Sequence, residues 1–265
     1  MTYKAKLLHR LDEIAKSLEQ CGGALALLGL GSVGVERERI DEFSDLDFFV
    51  IAQTGCKQRF IDQLDWLENV HPLGFSFKNC EIGYKILFDD GIYGEYAVFE
   101  EKELDDARYT GGKIIWQHAS FNNEGIVTGK APIPSIRANS IDHVIVEAVT
   151  NLYVGLGRYL RGEKLSAYRF IQVYPIDGLL TIMHLLEKEV SYFPDAFGNE
   201  RRLERRFPSF ASRLGDIVQG YNRTPQAALC LLAYLEEIYP VSPRMSHEIR
   251  RLAQRCINQD GMSTS

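Results

Sequence analysis

The residues whose types and spacing most directly suggest chemistry are Asp45 and Asp47, which stand in the string Ser44-Asp45-Leu46-Asp47. The apolar and aromatic run over residues 46–52 predicts a strand. Because residues two apart on a strand project from one face, both carboxylates are expected to face the same space. Paired oxygen ligands beside a phosphate are what Mg²⁺ prefers. The pair therefore predicts a magnesium site, although an isolated pair of this spacing is also typical of a solvated strand edge.

Two further features could complete such a site. Gly31-Ser32 follows residues 24–30, an apolar run typical of a buried strand. A glycine there lets the backbone approach a phosphate, and the serine hydroxyl and amide can bind its oxygens.

Glu95 lies in a predicted strand, residues 93–99, that is otherwise apolar enough to be buried. Burying an unpaired carboxylate is costly, so Glu95 is expected to face a cation or a polar cleft, the alternative being an exposed edge-strand glutamate.

An α/β arrangement is predicted to position these residues. Apolar residues at three- and four-residue steps indicate helices, and runs of apolar, aromatic and β-branched residues indicate strands. The predicted helices are 3–20 and 57–69, and the predicted strands are 24–30, 46–52, 74–77, 83–88, 93–99 and 113–117. The expected fold is a mixed sheet of about five strands with helices packed on it.

The pattern of apolar residues changes after residue 120. Residues 121–137 contain glycines and prolines with little periodicity, which predicts a linker. The catalytic domain is therefore expected over residues 1–120 and an all-α domain over residues 138–265. Helical apolar stripes cover 138–160, 165–189, 225–239 and 243–257. The polar tail, 259–265, is expected to fray.

Bulk properties narrow the function class. The chain has 45% hydrophobic and 25% charged residues, as a globular protein does. Its net charge of −6 disfavours nucleic acid as a partner. No signal peptide is recognised in residues 1–16, and no apolar stretch approaches the ~20 residues that span a bilayer. We therefore expect a cytoplasmic protein with no membrane partner, whose five scattered cysteines are reduced thiols.

The turn, the acidic pair and the later carboxylate together resemble the polymerase-β-type nucleotidyltransferase superfamily over residues 24–100. A closer resemblance, to antibiotic nucleotidyltransferases of the lincosamide type, extends to residue 170. It is carried by the strings Asp65-Trp66, His71-Pro72, Gly94-Glu95-Tyr96 and Arg161-Gly162-Glu163.

The superfamily resemblance implies a reaction. A pair of Mg²⁺ ions held by Asp45, Asp47 and Glu95 would position a nucleoside triphosphate. A substrate hydroxyl would then attack the α-phosphorus, and pyrophosphate would leave. Glu95 could also help to deprotonate the hydroxyl.

The resemblance also implies roles outside the carboxylates. Gly31 and Ser32 would cradle the triphosphate. The loop lacks a basic residue directly after the serine, and either Arg37 or Arg39 would supply it. Glu163 would border the acceptor site, of which the helical domain would form one wall. The alternative for Glu163 is a purely structural place beside a helix end, where its neighbouring glycine is a common stop signal.

The expected enzyme transfers a nucleoside monophosphate, AMP, to a hydroxyl of a small molecule such as a lincosamide or aminoglycoside antibiotic, and a homodimer is compatible with the sequence. One alternative is a non-catalytic or regulatory nucleotide-binding protein, antitoxin-like, that keeps the fold. Another is a nucleotidyltransferase that acts on protein or RNA.

Other motifs are weaker. Gly29, Gly31 and Gly34 match a dinucleotide fingerprint, but residues 35–42 lack the helical periodicity that should follow. No P-loop string and no zinc-ligand spacing of histidines is present. The arginine cluster at 201–206 is typical of a solvated helix face held by i,i+4 pairs, with triphosphate contact as the alternative.

Overall fold

The structure is a computed structural model that describes residues 1–105, 107, 109–129, 137–193, 195 and 197–263. The chain divides into two compact units, Met1–Ile133 and Pro134–Ser265. The linker predicted over 121–137 includes residues 130–136, which lie outside the described residues. Before them, Phe121 and Ile126 are buried in the core of the first unit.

The first unit begins with helix α1 (Tyr3–Cys21). Thr2 caps it, because its side chain accepts a hydrogen bond from the Ala5 amide at 3.3 Å. Its apolar side chains face the sheet, as their spacing predicts. The helix ends at Gly22, whose φ of +67° lies in the region that glycine adopts without a steric penalty.

Six strands form one sheet in the order β3-β4-β5-β2-β1-β6. Their bounds are β1 (Ala24–Leu30), β2 (Leu46–Ala52), β3 (Leu73–Cys80), β4 (Gly83–Phe88), β5 (Tyr93–Glu100) and β6 (Gly112–Gln117). The β2–β5 pair is parallel, and the other neighbours are antiparallel. The predicted mixed sheet with helices is confirmed, with six strands.

The two faces of the sheet are covered differently. One face carries Phe48 and Tyr96, whose rings stack at 5.3 Å, and packs against α1 and two short helices. The other face carries Phe49, which packs against Phe99 and Tyr109. This second core is closed by side chains from the segment between β5 and β6 and from the segment after β6. Asp45 and Asp47 alternate with Phe48 and therefore lie on this second face.

The helix predicted over 57–69 is wrong as one element. It is two short helices, α2 (Lys57–Asp62) and α3 (Asp65–Glu68), separated by an extended Gln63. In an unbroken helix, the four buried residues of this segment would spread around most of the circumference. The break directs them all into the core, where the Trp66 indole donates to the Phe60 carbonyl at 3.2 Å.

The second unit is helical, as predicted. Its helices are α4 (Ile141–Leu160), α5 (Lys164–Tyr168), α6 (Tyr174–Leu186), α7 (Leu203–Arg206), α8 (Pro208–Ala211), α9 (Leu214–Ile217), α10 (Thr224–Ile238) and α11 (Pro243–Ser263). A π-helical turn, Arg169–Val173, joins α5 to α6. The one-turn helices α7, α8 and α9 are too short to produce a periodic sequence pattern.

The prediction that the polar tail frays is wrong for its described residues, 259–263, which are helical. Helix α11 continues to Ser263. Asp260 near its end accepts hydrogen bonds from the Tyr159 hydroxyl at 2.6 Å and the Lys164 ammonium at 2.9 Å. These long-range bonds hold the start of the polar segment at Asp260, and residues 264–265 lie outside the described residues.

All five cysteines are free thiols, as predicted. Among the helices of the described residues, none has both the length and the apolar character needed to cross a bilayer.

Candidate active site

The strand register brings the predicted acidic residues to one end of the sheet. Asp47 on β2 is the register partner of Glu95 on β5, and Glu95 is the partner of Lys85 on β4. Lys85 is in turn the partner of Phe77 on β3. Register partners project from the same face. Phe77, Lys85, Glu95 and Asp47 therefore form one row across four strands, with Asp45 just before β2 on the same face.

The Gly31-Ser32 turn closes the neighbouring strand β1 beside the start of β2. Gly31 has a φ of +46°, and its carbonyl accepts hydrogen bonds from the Gly34 and Glu36 amides at 3.2 and 3.0 Å. A side chain at Gly34 would place its Cβ 2.4 Å from the Gly29 carbonyl oxygen. Glycine is thus required for the chain to fold back tightly here. Ser32 is only 5% exposed in this arrangement.

Arg37 and Arg39 lie in the next short helical turn, Arg37–Arg39, and differ in their partners. The Arg39 guanidinium forms an ion pair with Glu36 at 2.7 Å. The Arg37 backbone carbonyl accepts from the Lys4 ammonium at 2.7 Å. Its side-chain Nε is buried and has no hydrogen-bond partner within the described part of the chain. Arg37 therefore has an unused donor, its buried Nε.

The approach to Asp45 is fixed by hydrogen bonds that the sequence analysis missed. The Asp41 carboxylate accepts from the Phe43 amide at 2.9 Å and from the Ser44 hydroxyl at 3.2 Å. The Ser44 carbonyl accepts from the Tyr3 hydroxyl of α1 at 2.9 Å. Burial raises the pKa of Tyr3, and the negative charges of Asp45, Asp90 and Asp41 raise it further. Tyr3 is thus a neutral donor that anchors the residue before Asp45.

Helix α1 also holds the turn that precedes Glu95. Asp90 in this turn forms ion pairs with Arg10 at 2.8 Å and Lys6 at 3.1 Å. Burial opposes ionisation of Asp90, but hydrogen bonds from Lys6 and Arg10 outweigh it and lower the pKa of Asp90 to about 2. One helix therefore anchors the segments leading into both acidic strands.

The Glu95 carboxylate contacts residues of β3 and β4, on the side of β5 away from Asp47. Its carboxylate accepts a hydrogen bond from the Asn79 side-chain amide at 2.8 Å and lies 3.7 Å from the Lys85 ammonium. Within the described ranges, no group of three His, Cys, Asp or Glu side chains is gathered closely enough to hold a metal ion. The backbone register thus makes Asp47 and Glu95 neighbours, while the Glu95 carboxylate is bound to β3 and β4.

The candidate site residues of the helical unit, Glu163 and the arginine cluster, form ion pairs within that unit. Glu163 precedes α5 and pairs with Arg158 at 2.9 Å, directly after Gly162 with a φ of +84°. In the arginine cluster, Arg206 is buried and pairs with Glu189 at 2.8 Å, and Arg201 pairs with Asp195 at 3.4 Å. These arginines bind the preceding loop and do not form the expected i,i+4 ladder.

Asn79 and Lys85 are further site residues that the sequence analysis missed. Both depend on which strands pair and in what register, and neither stands in a motif. The alternation of strand β4 was the available signal, since it places Lys85 on the face opposite the buried Ile86.

Comparison with known proteins gives the following similarities. No family model and no curated protein matches the chain. Among solved structures, an aminoglycoside 6-adenyltransferase from Bacillus subtilis is 15% identical with a TM-score of 0.35, over 97% of this chain and 99% of that one. The Thermotoga maritima CCA-adding enzyme complexed with tRNA is 12% identical with a TM-score of 0.36, over 94% and 72%. The function proposed below rests on the geometry of the site.

Proposed function

We propose that this chain is a Mg²⁺-dependent nucleotidyltransferase that moves a nucleoside monophosphate, AMP, from its triphosphate to a hydroxyl of a small molecule. The observation that carries the proposal is the register of the parallel pair, which sets Asp47 beside Glu95 at the strand end next to the glycine turn. Oxygen donors from carboxylates are the ligands that Mg²⁺ takes in phosphoryl-transfer sites.

Asp45 and Asp47 would hold the metal ions, and Glu95 would complete the ligand set from the adjoining strand. Two ions bound there would stabilise the attacking and leaving oxygens of an in-line displacement. To complete the set, Glu95 would exchange its contacts with Asn79 and Lys85 for the metal. The Asn79 side chain is exposed and the Lys85 side chain is partly exposed, so this exchange would require rotamer changes and no change of fold.

The turn and its arginine would bind the triphosphate. The amides around Gly31 and Ser32 are suited to phosphate oxygens at the end of β1. Arg37 offers a buried Nε without a hydrogen-bond partner in the described residues, which an anion would satisfy.

These positions support a transfer in one in-line step. The acceptor hydroxyl oxygen forms a bond to the α-phosphorus as the bond between the α-phosphorus and the bridging oxygen breaks. The electron pair of that bond leaves with pyrophosphate. The hydroxyl proton passes to the Glu95 carboxylate and from there to water.

The test is pyrophosphate release from purified protein with Mg²⁺, ATP and a panel of hydroxylated small molecules, including lincosamides and aminoglycosides. The proposal expects release with at least one acceptor and none with Asp45→Asn. Calorimetry with Mg²⁺ and a non-hydrolysable ATP analogue separates the enzyme from a regulatory nucleotide-binding protein. If wild type binds the analogue, and Asp45→Asn neither weakens that binding nor changes any turnover, the acidic pair is not the catalytic site.

A further inference from the structure

An exposed apolar surface lies on the same sheet face as the carboxylates. Phe75 and Phe77 on β3 are 52% and 54% exposed, and Leu87 on β4 is 37% exposed. Phe75 is the register partner of Leu87, which is the partner of Tyr93 on β5. Phe75, Leu87 and Tyr93 therefore form a second row, parallel to the row that contains Phe77 and Glu95. We call Phe75, Phe77 and Leu87 the apolar shelf.

We propose that the apolar shelf binds the acceptor substrate, and that this acceptor carries an apolar substituent next to the hydroxyl it presents. The inference rests on the proposed function, since it gives that site its second substrate. It narrows the acceptor class to an amphipathic molecule, as opposed to a uniformly polycationic one.

The strand order assigns the shelf to the acceptor and not to the nucleotide. In the order β3-β4-β5-β2-β1, the glycine turn lies at the end of β1 and the shelf lies on β3 and β4. The acidic strands β2 and β5 stand between them. In an in-line displacement, the attacking and leaving oxygens lie on opposite sides of the phosphorus. If the leaving pyrophosphate is held at the β1 turn, the hydroxyl arrives from the side of the shelf.

The dimensions agree with a small molecule. Neighbouring strands lie ~4.8 Å apart, so Phe77 stands ~10 Å from the Glu95 strand and ~14 Å from the Asp47 strand. A ligand of two or three rings covers this span.

The charge next to the shelf bears on the chemistry of the acceptor, because the Lys85 ammonium lies between Phe77 and Glu95. Where the carboxylates are neutralised by metal ions, Lys85 is the charged residue next to Phe77, so a cationic group placed there would meet repulsion and an apolar group would not.

A second copy of the chain is a less suitable occupant. Strand β3 is a sheet edge, and edge pairing between two copies would extend the sheet in its own plane. Side chains stand perpendicular to that plane, so Phe75 and Phe77 would remain on an open face.

The test uses n-octyl β-glucoside below its micellar concentration as the amphipathic probe and glucose as the polar control. 4-Fluorophenylalanine at positions 75 and 77 reports binding by ¹⁹F NMR. We expect octyl glucoside, and not glucose, to shift both resonances, and the double variant Phe75→Ala/Phe77→Ala to weaken its binding by about tenfold. Phe197→Ala, which removes a 63% exposed phenylalanine from the helical unit, is the matched control and should change nothing.

Three results would overturn the shelf proposal. These are equal shifts with glucose and octyl glucoside, shifts caused by a non-hydrolysable ATP analogue instead, and a wild-type dimer in sedimentation that Phe75→Ala/Phe77→Ala converts to monomer. Failure of the proposed function looks different. Protein that binds octyl glucoside but no Mg²⁺·ATP analogue contradicts the nucleotidyltransferase assignment and leaves the shelf as a binding surface. Asp47→Asn should lose the analogue and keep octyl glucoside.

Discussion

Asp47 and Glu95 are register partners in the one parallel strand pair of the described sheet. Hydrogen bonds between β2 and β5 fix this relationship, so the two residues stay side by side on one face of the sheet. The side-chain rotamers then decide how closely the two carboxylates approach. Helix α1 reinforces it by binding Ser44 through Tyr3 and Asp90 through Lys6 and Arg10. We propose that this end of the sheet is a preorganised scaffold whose carboxylates exchange partners when metal binds.

Lys85 should compete with the metal for Glu95. Its ammonium lies 3.7 Å from the Glu95 carboxylate, and the pair is exposed, so its removal is worth only ~0.2–1 kcal/mol. Lys85→Met should therefore lower the Mg²⁺ concentration for half-maximal activity by about two- to fivefold. Lys78→Met on the opposite face of β3 is the control. A higher Mg²⁺ requirement in Lys85→Met would mean that Lys85 assists the metal site instead.

Substitutions of Arg37 and Arg39 should have different effects on the KM for the triphosphate. Arg37→Met is expected to raise KM for the triphosphate by about tenfold or more, since it removes a charge-assisted hydrogen bond. Arg39→Met breaks the ion pair with Glu36 and should leave that KM nearly unchanged. Steady-state kinetics on both variants decides between them, and the reverse pattern would move the phosphate contact to Arg39.

Tyr3 acts as a positioning residue. Tyr3→Phe removes the 2.9 Å hydrogen bond to the Ser44 carbonyl. We expect a loss of ~1 kcal/mol and a Tm lower by ~2–4 °C. We also expect kcat to fall severalfold with KM for the triphosphate unchanged. Tyr221→Phe, at a 48% exposed tyrosine in the helical unit, should alter neither quantity. An unchanged kcat beside a lowered Tm would restrict Tyr3 to a structural role.

Asp90 should make the stability of the first unit depend on pH in the acid range. Its pKa is lowered to about 2 in the folded chain, so its contribution is complete above about pH 4 and is lost as pH falls towards 2. Asp90→Asn should be less stable than wild type at neutral pH by ~1–2 kcal/mol, and the two should converge near pH 2. Denaturant unfolding at several pH values, with Asp12→Asn of the exposed α1 face as control, measures this. A constant difference across the range would contradict it.

The sequence predicts the parts of this fold that local pattern determines. Strands β1 and β2 have the bounds expected from their apolar runs, because buried strands need nearly continuous apolar residues. The acidic pair is recognisable because its spacing matches the strand period. The broken helix at 57–69 and the held end of α11 were not predicted, because packing against distant parts of the core decides the first and the Tyr159–Asp260 hydrogen bond decides the second.

The remaining part of the site depends on strand pairing. Nothing local indicates that Lys85 and Asn79 face Glu95, or that β3 forms an edge and exposes Phe75 and Phe77. Register and strand order arise from the whole sheet, and a shift of one residue would turn every side chain to the other face. The choice of Arg37 over Arg39 likewise required the Glu36 ion pair to be located in space.

The most direct test of the central claim is a crystal of the protein soaked with Mn²⁺ and an α,β-non-hydrolysable ATP analogue, measured at the manganese absorption edge. We expect anomalous peaks between the carboxylates of Asp45, Asp47 and Glu95, with the Glu95 side chain turned away from Asn79. Manganese bound elsewhere, or Glu95 still held by Asn79 with the nucleotide in place, would contradict it.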